Sequence, residues 1–150
     1  MAQRGGAVQS HLRLSKDRIF SDLIPRGGAD LILSVEPLEA LRYLEFLGPE
    51  GRIVTSSTPY ANIPDYPPTA ALVDALRRVE AIVLDSEALS REAGSSKAQN
   101  TVVLGAASRY LVVSENALLR HIRALFAPRG ERLLEININA FELGRKAARG

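Results

Sequence analysis

Apolar and polar residues alternate from Val8 to Leu14, with Val8, Ser10, Leu12 and Leu14 on one side and Gln9, His11 and Arg13 on the other. A period of two is that of a strand. Ser15-Lys16-Asp17 separates this run from a second one of strand length, Ile19 to Ile24, and the pair predicts an antiparallel hairpin that ends at Pro25-Arg26-Gly27-Gly28. Leu31 to Val35 is short and nearly continuously apolar, the pattern of a strand covered on both faces by helices. Pro37 suits a first helical position, where its missing N–H would have no partner anyway. Leu38, Leu41, Tyr43, Leu44 and Leu47 then recur at helical spacing, and Gly48-Pro49 is the expected stop.

Arg52 to Ser56 carries the branched residues of a further strand. Thr58 to Pro68 holds four prolines, which forbid regular structure, and its two tyrosines favour a contact. A helix over Ala70 to Arg78 with Thr69 as N-cap follows, then the buried-strand pattern Ala81 to Leu84, ending in Asp85-Ser86. A short helix from Glu87 to Ala93 breaks at Gly94-Ser95-Ser96. The remainder predicts three helices: Lys97 to Val112, Glu115 to Phe126 capped by Ser114, and Glu131 to Ala148, with Pro128-Arg129-Gly130 as the last turn. In the third, Asn137 and Asn139 fit a strand's period as well as a helix's. The alternation of strand and helix predicts an α/β, three-layer Rossmann-like fold: a mainly parallel sheet, an antiparallel hairpin at the front and a helical C-terminal third. The chain opens almost directly into a strand, so a first strand is expected to be missing.

One hundred and fifty residues suit a single domain, and 46% apolar with 24% charged residues can bury a core. A net charge of +2 is far from the dense positive field that neutralises phosphates, so no nucleic-acid partner is expected. The charge is uneven: residues 31–96 carry ten acidic against five basic groups, and residues 97–150 carry nine basic against four acidic. Such asymmetry can complement a partner's surface or be ordinary solvated faces. Cysteine is absent, which excludes disulfides, thiolate catalysis and any iron–sulfur cluster held by this chain's own ligands. No apolar run is long enough for a bilayer and the first residues lack a signal peptide's apolar stretch, so the chain reads as cytoplasmic, with no membrane partner.

His11 and His121 stand far apart with no ligand cluster beside either, and neither a G-x-S-x-G elbow nor a phosphate loop occurs. No metal and no catalytic residue is therefore expected on this chain. Gln3-Arg4-Gly5-Gly6 sets a forked guanidinium next to two glycines, an arrangement able to meet a phosphate or carboxylate or to be a flexible end. Glu36 stands at the C-terminal tip of a buried strand, the edge where ligands of open α/β sheets bind, and is equally suited to cap the helix opening at Pro37. Ser56, Ser57 and Thr58 reach the same edge, where loop hydrogen bonding would also account for them. Asn100, polar in an otherwise apolar helix, can bond backbone or ligand.

Met1-Ala2-Gln3-Arg4-Gly5-Gly6, Val8 to Arg13, and Gly28-Ala29-Asp30 leading to Glu36-Pro37-Leu38-Glu39-Ala40-Leu41-Arg42-Tyr43-Leu44 resemble the gamma domain of the 2-oxoacid:ferredoxin oxidoreductases. Ala93-Gly94, Asn100 to Gly105 and Asn139 to Gly144 continue the likeness in order, and within the family it is most similar to the indolepyruvate branch. The family's first strand and its G-x-G-G-Q-G turn do not precede Met1, so the resemblance implies a domain lacking its front. It further implies a non-redox subunit, catalytic only in a complex that converts a 2-oxoacid such as indolepyruvate or another arylpyruvate to its acyl-CoA. No cofactor would sit on this chain. Thiamine diphosphate, 4Fe–4S clusters and coenzyme A would belong to the complex, and ferredoxin would be met only indirectly through the catalytic subunit. Gln3, Arg4, Gly5, Gly6, Glu36 and Asn100 would face the substrate, coenzyme A or that partner. A gamma subunit for pyruvate, 2-oxoglutarate or branched-chain oxoacids, and a non-catalytic assembly module, remain the alternatives.

Overall fold

The computed structural model describes residues 8–61 and 64–148, so Gln3, Arg4, Gly5 and Gly6 lie outside the described residues. Alternating strands and helices come first in the body: β1 (Ala29–Ser34), α1 (Pro37–Arg42), β2 (Leu47–Ser56), α2 (Thr69–Arg78) and β3 (Ile82–Leu84). They are followed by α3 (Ser86–Glu92), α4 (Gln99–Ala107), α5 (Glu115–Phe126) and α6 (Glu131–Ala147). The three strands are parallel in the order β1-β2-β3, with Leu31 beside Arg52, Ser34 beside Thr55 and Ser56 beside Leu84.

Successive strand residues point to opposite faces, and the core divides accordingly. Ile32, Ile53 and Val83 pack with Ala40 and Leu41 of α1 and Leu76 of α2 on one side. Leu31, Val54 and Leu84 pack with Val102, Val103 and Ala106 of α4 and Ala140 of α6 on the other. The result is the expected three-layer arrangement with its central strand buried on both faces.

α4 and α6 cross closely enough that only glycine fits at two points. A Cβ on Gly105 would overlap the carbonyl of Phe141, and one on Gly144 would overlap the carbonyl of Val102. Beside that crossing, the Thr101 hydroxyl donates to Asn137 Oδ1 at 2.7 Å, and the Asn137 amide donates to the Leu133 carbonyl at 2.8 Å. The ambiguous asparagine pair thus lies in a helix, with Asn137 buried and satisfied. Arg145 ties α5 to α6 through Glu115 at 2.6 Å and donates to Ser108 Oγ at 3.2 Å.

Four expectations are corrected. The helix opening at Pro37 stops at Arg42, and a 3-10 turn over Leu44–Phe46 leads straight into β2, which runs through Gly48-Pro49. Leu44 and Leu47 reach the core from turn and strand instead of helix. Thr69 is the first residue of α2 and caps nothing; Pro68 precedes it. The helix expected to Val112 ends at Ala107 and tightens into a 3-10 turn over Ser108–Tyr110, where the Ser108 hydroxyl bonds the Gly105 carbonyl.

The fourth correction is the hairpin. Residues 8–28 contain neither strand nor helix. The two runs nevertheless lie side by side: His11 Nδ1 accepts the Ile24 N–H at 2.8 Å, and Arg13 donates to the Ser21 carbonyl at 2.6 Å. These pairs step in opposite directions along the chain, as in an antiparallel pair, but side chains replace the backbone ladder. A lone two-stranded ribbon is marginal in water, and this one has no covered face. Leu12 is 71% exposed, Leu23 67% and Phe20 85%. We call residues 8–24 the arm.

Candidate functional site

The C-terminal edge of the sheet gathers polar side chains from every strand. At the tip of β1, Glu36 has extended backbone, and its Oε2 accepts the Glu39 N–H at 2.7 Å, capping α1. Its Oε1 accepts the hydroxyl of Tyr66, from the proline-rich loop. Both carboxylate oxygens are therefore engaged, and the residue is 8% exposed. Ser34 Oγ closes the turn by accepting the Glu36 N–H at 3.1 Å and donating to the Glu36 carbonyl at 2.7 Å. Burial, reinforced by the hydrogen bond to Glu36, pushes the Tyr66 phenol well above its usual range. The loop after β2 is thus latched onto β1 through a neutral phenol and a carboxylate.

The tips of β2 and β3 carry a second group. Ser56 and Ser86 are fully buried, and the Ser86 hydroxyl donates to Ser56 Oγ at 2.7 Å. Ser56 Oγ also accepts the Thr58 N–H at 3.0 Å, and the Ser57 N–H donates to the Leu84 carbonyl at 2.9 Å. Ser86 Oγ lies 3.4 Å from Gln99 Oε1, which brings the first turn of α4 to the same edge, with the exposed Asn100 next to it. A serine becomes a nucleophile when a base stands beside it. Here the neighbours are another hydroxyl, an amide and backbone, so the group shapes the edge and fixes the loop.

A cavity of about 140 Å³ separates the arm from β1 and α1, lined among others by Gln9, His11, Ile24, Ser34, Glu39 and Tyr43. His11 stacks its edge on Phe46, with ring centroids 5.6 Å apart, so it fastens the base of the arm. His121 is exposed on α5. Among the described residues no three of His, Asp and Glu gather as a metal-ligand set, and no helix is long and apolar enough to cross a membrane.

Of the residues singled out from sequence, the structure brings Glu36, Ser56, Ser57 and Thr58 to one edge and sets Asn100 beside it. Tyr66 makes the contact that the two tyrosines of the proline-rich loop favour, whereas Ser86 and Gln99 are not among the residues the sequence singles out. Ser86 carried a signal, since it follows β3 as Glu36 follows β1; the partner of Tyr66 is 30 residues away and no spacing announces it.

Residues 1–147 match the family described as pyruvate ferredoxin/flavodoxin oxidoreductase. The indolepyruvate oxidoreductase subunit IorB of Thermococcus kodakarensis is 33% identical over 163 residues, an alignment covering 99% of this chain and 77% of that protein. The subunit of the same name from Pyrococcus horikoshii is 31% identical over 160 residues, again with 99% and 77% covered. Among solved structures, a 2-oxoglutarate:ferredoxin oxidoreductase from Magnetococcus marinus superposes with a TM-score of 0.61 at 22% identity, over 90% of this chain and 22% of the other. This chain corresponds to about a fifth of that one's length, and the likeness concerns the fold.

Proposed function

The chain belongs to the pyruvate ferredoxin/flavodoxin oxidoreductase family, and from that premise we propose that it is the non-redox subunit of an indolepyruvate-type 2-oxoacid:ferredoxin oxidoreductase. The observation that carries this reading is the likeness to IorB subunits along 99% of the chain. The donor set agrees: without cysteine, this chain has no ligands of the kind that hold iron–sulfur clusters. Thiamine diphosphate and the clusters then belong to a catalytic partner subunit, where they supply decarboxylation of the 2-oxoacid and electron transfer toward ferredoxin, with coenzyme A taking the acyl group.

In this reading the chain forms one wall of a shared cleft. Gln3, Arg4, Gly5 and Gly6 face it, with Arg4 meeting a carboxylate or phosphate, and Asn100 flanks it from the first turn of α4. Glu36 contributes indirectly, by holding the proline-rich loop through Tyr66.

Co-expression with the organism's own catalytic subunit, followed by an anaerobic assay of viologen reduction with indolepyruvate and coenzyme A, tests the proposal. Full turnover is expected only from the pair. Turnover by this chain alone, or undiminished turnover by the partner alone, overturns it; so does a pair that uses pyruvate or 2-oxoglutarate and leaves indolepyruvate untouched. Arg4→Ala is expected to raise the apparent KM for the 2-oxoacid or coenzyme A about tenfold, as loss of a charge-assisted hydrogen bond does. An unchanged KM for both removes the assignment of Arg4.

A further inference from the structure

The two polar groups at the sheet edge lie on opposite faces of β2 and hold the same loop. Successive residues of a strand face opposite ways, so Thr55 lies on the α1 side with Glu36, and Ser56 on the α4 side with Val54. On the first side, the Tyr66 hydroxyl holds the far end of the proline-rich loop to Glu36. On the second, Ser56 Oγ holds the root of that loop by accepting the Thr58 N–H at 3.0 Å.

Ser86 carries this second attachment onward. Its Oγ lies 2.7 Å from Ser56 Oγ and 3.4 Å from Gln99 Oε1. One hydroxyl thus stands between the root of the β2 loop and the first turn of α4, where the exposed Asn100 follows Gln99. Stability alone does not call for polar groups here. Ser56 and Ser86 are both fully buried, and replacing two hydroxyls by apolar groups of the same shape costs a fold little. A hydrogen bond adds a fixed distance and angle where apolar contact fixes only proximity. That matters at this edge, because ligands of open α/β sheets bind outside the carboxyl ends of the strands, among the loops that leave them. Ser90, also on α3 and also fully buried, makes the contrast: its hydroxyl bonds the Glu87 carbonyl of its own helix and joins nothing else.

We propose that Ser86 is a positioning residue of the shared cleft: through Ser56 and Gln99 it sets Ser57 and Thr58 of the loop against Asn100 of α4. This deepens the subunit reading above and rests on it. Ser86 touches neither the 2-oxoacid nor coenzyme A. Its loss lets the loop root and the α4 turn move independently, which weakens binding and leaves the chemistry on the catalytic subunit intact. The effect therefore falls on KM and spares kcat.

The test uses the assembled pair of this chain and its catalytic subunit, in the viologen assay with indolepyruvate and coenzyme A. Ser86→Ala is expected to raise the apparent KM for at least one of them about fivefold, the scale of one lost neutral hydrogen bond, with kcat within about twofold of wild type. Gln99→Ala cuts the same link from the α4 side and should do the same. The double variant should be no worse than either alone, since both changes break one connection. Ser90→Ala should leave both KM values unchanged. Thermal melting of each isolated variant shows that the body folds. Amide exchange at Thr58 in the isolated chain reads the link without turnover, and should quicken in Ser86→Ala but not in Ser90→Ala. Should Ser86→Ala melt below the assay temperature, Gln99→Ala decides in its place, because that side chain is only half-buried. If the wild-type pair turns over and Ser86→Ala leaves both KM values unchanged, or lowers kcat alone, the positioning role is overturned and the subunit reading stands. Equal rises in Ser86→Ala and Ser90→Ala, or additive rises in the double variant, overturn it as well. If the wild-type pair itself leaves indolepyruvate untouched, the subunit reading falls and the positioning role with it.

Discussion

The arm and the body are made of similar residues put to opposite use. Between Ala29 and Ala147 most apolar runs find a surface to cover: β2 is sandwiched between helices, and α4 and α6 approach until two glycines touch carbonyls. Between residues 8 and 24 the pattern is as regular and the side chains are as large, yet they face water. The difference is one of partners. A strand-length pattern states which side is to be buried, and only a second surface decides whether burial happens. The body supplies that surface from its own described elements, and the arm meets little of it.

Substitutions in the two regions should separate accordingly. The largest effect is expected at the helix crossing, where Gly144→Ala or Gly105→Ala drives a methyl into a carbonyl that cannot move without parting α4 from α6. A loss of about 3 kcal/mol or more is expected in denaturant melts. A loss below about 1 kcal/mol would mean that the crossing is looser than the structure shows. Asn137→Ala should come next, at about 1–3 kcal/mol, because it strands the buried Thr101 hydroxyl and removes the bond to Leu133. Thr101→Val in the same background should recover part of that loss, since it removes the stranded group.

The loop latch should show a pH signature. Folding raises the Tyr66 phenol above its unfolded value of about 10, so the folded state favours the protonated phenol. The latch's contribution is whole below that pH and is lost as pH rises beyond it. Thermal melts between pH 8 and 11 should therefore fall more steeply for wild type than for Tyr66→Phe. Parallel curves would mean that the phenol does not carry the alkaline loss. Phe20→Ser should move the stability of the isolated chain least, by less than about 0.5 kcal/mol, because the ring touches little of the body.

The same contrast explains what could be read from the sequence. Leu31–Val35 and Ala81–Leu84 announced their strands through nearly continuous apolar runs, and Arg52–Ser56 through its branched residues. Ser114 and Gly130 marked the ends of α5 and α6 through local backbone chemistry. The hairpin was misjudged because period two records a side and says nothing of a pairing partner. The helix after Pro37 was drawn too long because Leu44 and Leu47 keep helical spacing while packing from a turn and a strand. At the sheet edge, Glu36 was legible as a strand-tip carboxylate, whereas its bond to Tyr66 joins residues separated by a helix and a strand. The side chains that meet at Ser56, Ser86 and Gln99 come together only through topology.

The measurement that bears most directly on this account is amide hydrogen exchange on the isolated chain. Residues 8–24 are expected to exchange rapidly, while amides in β2, α4 and α6 are slow. Exchange of residues 8–24 as slow as that of β2 would contradict it.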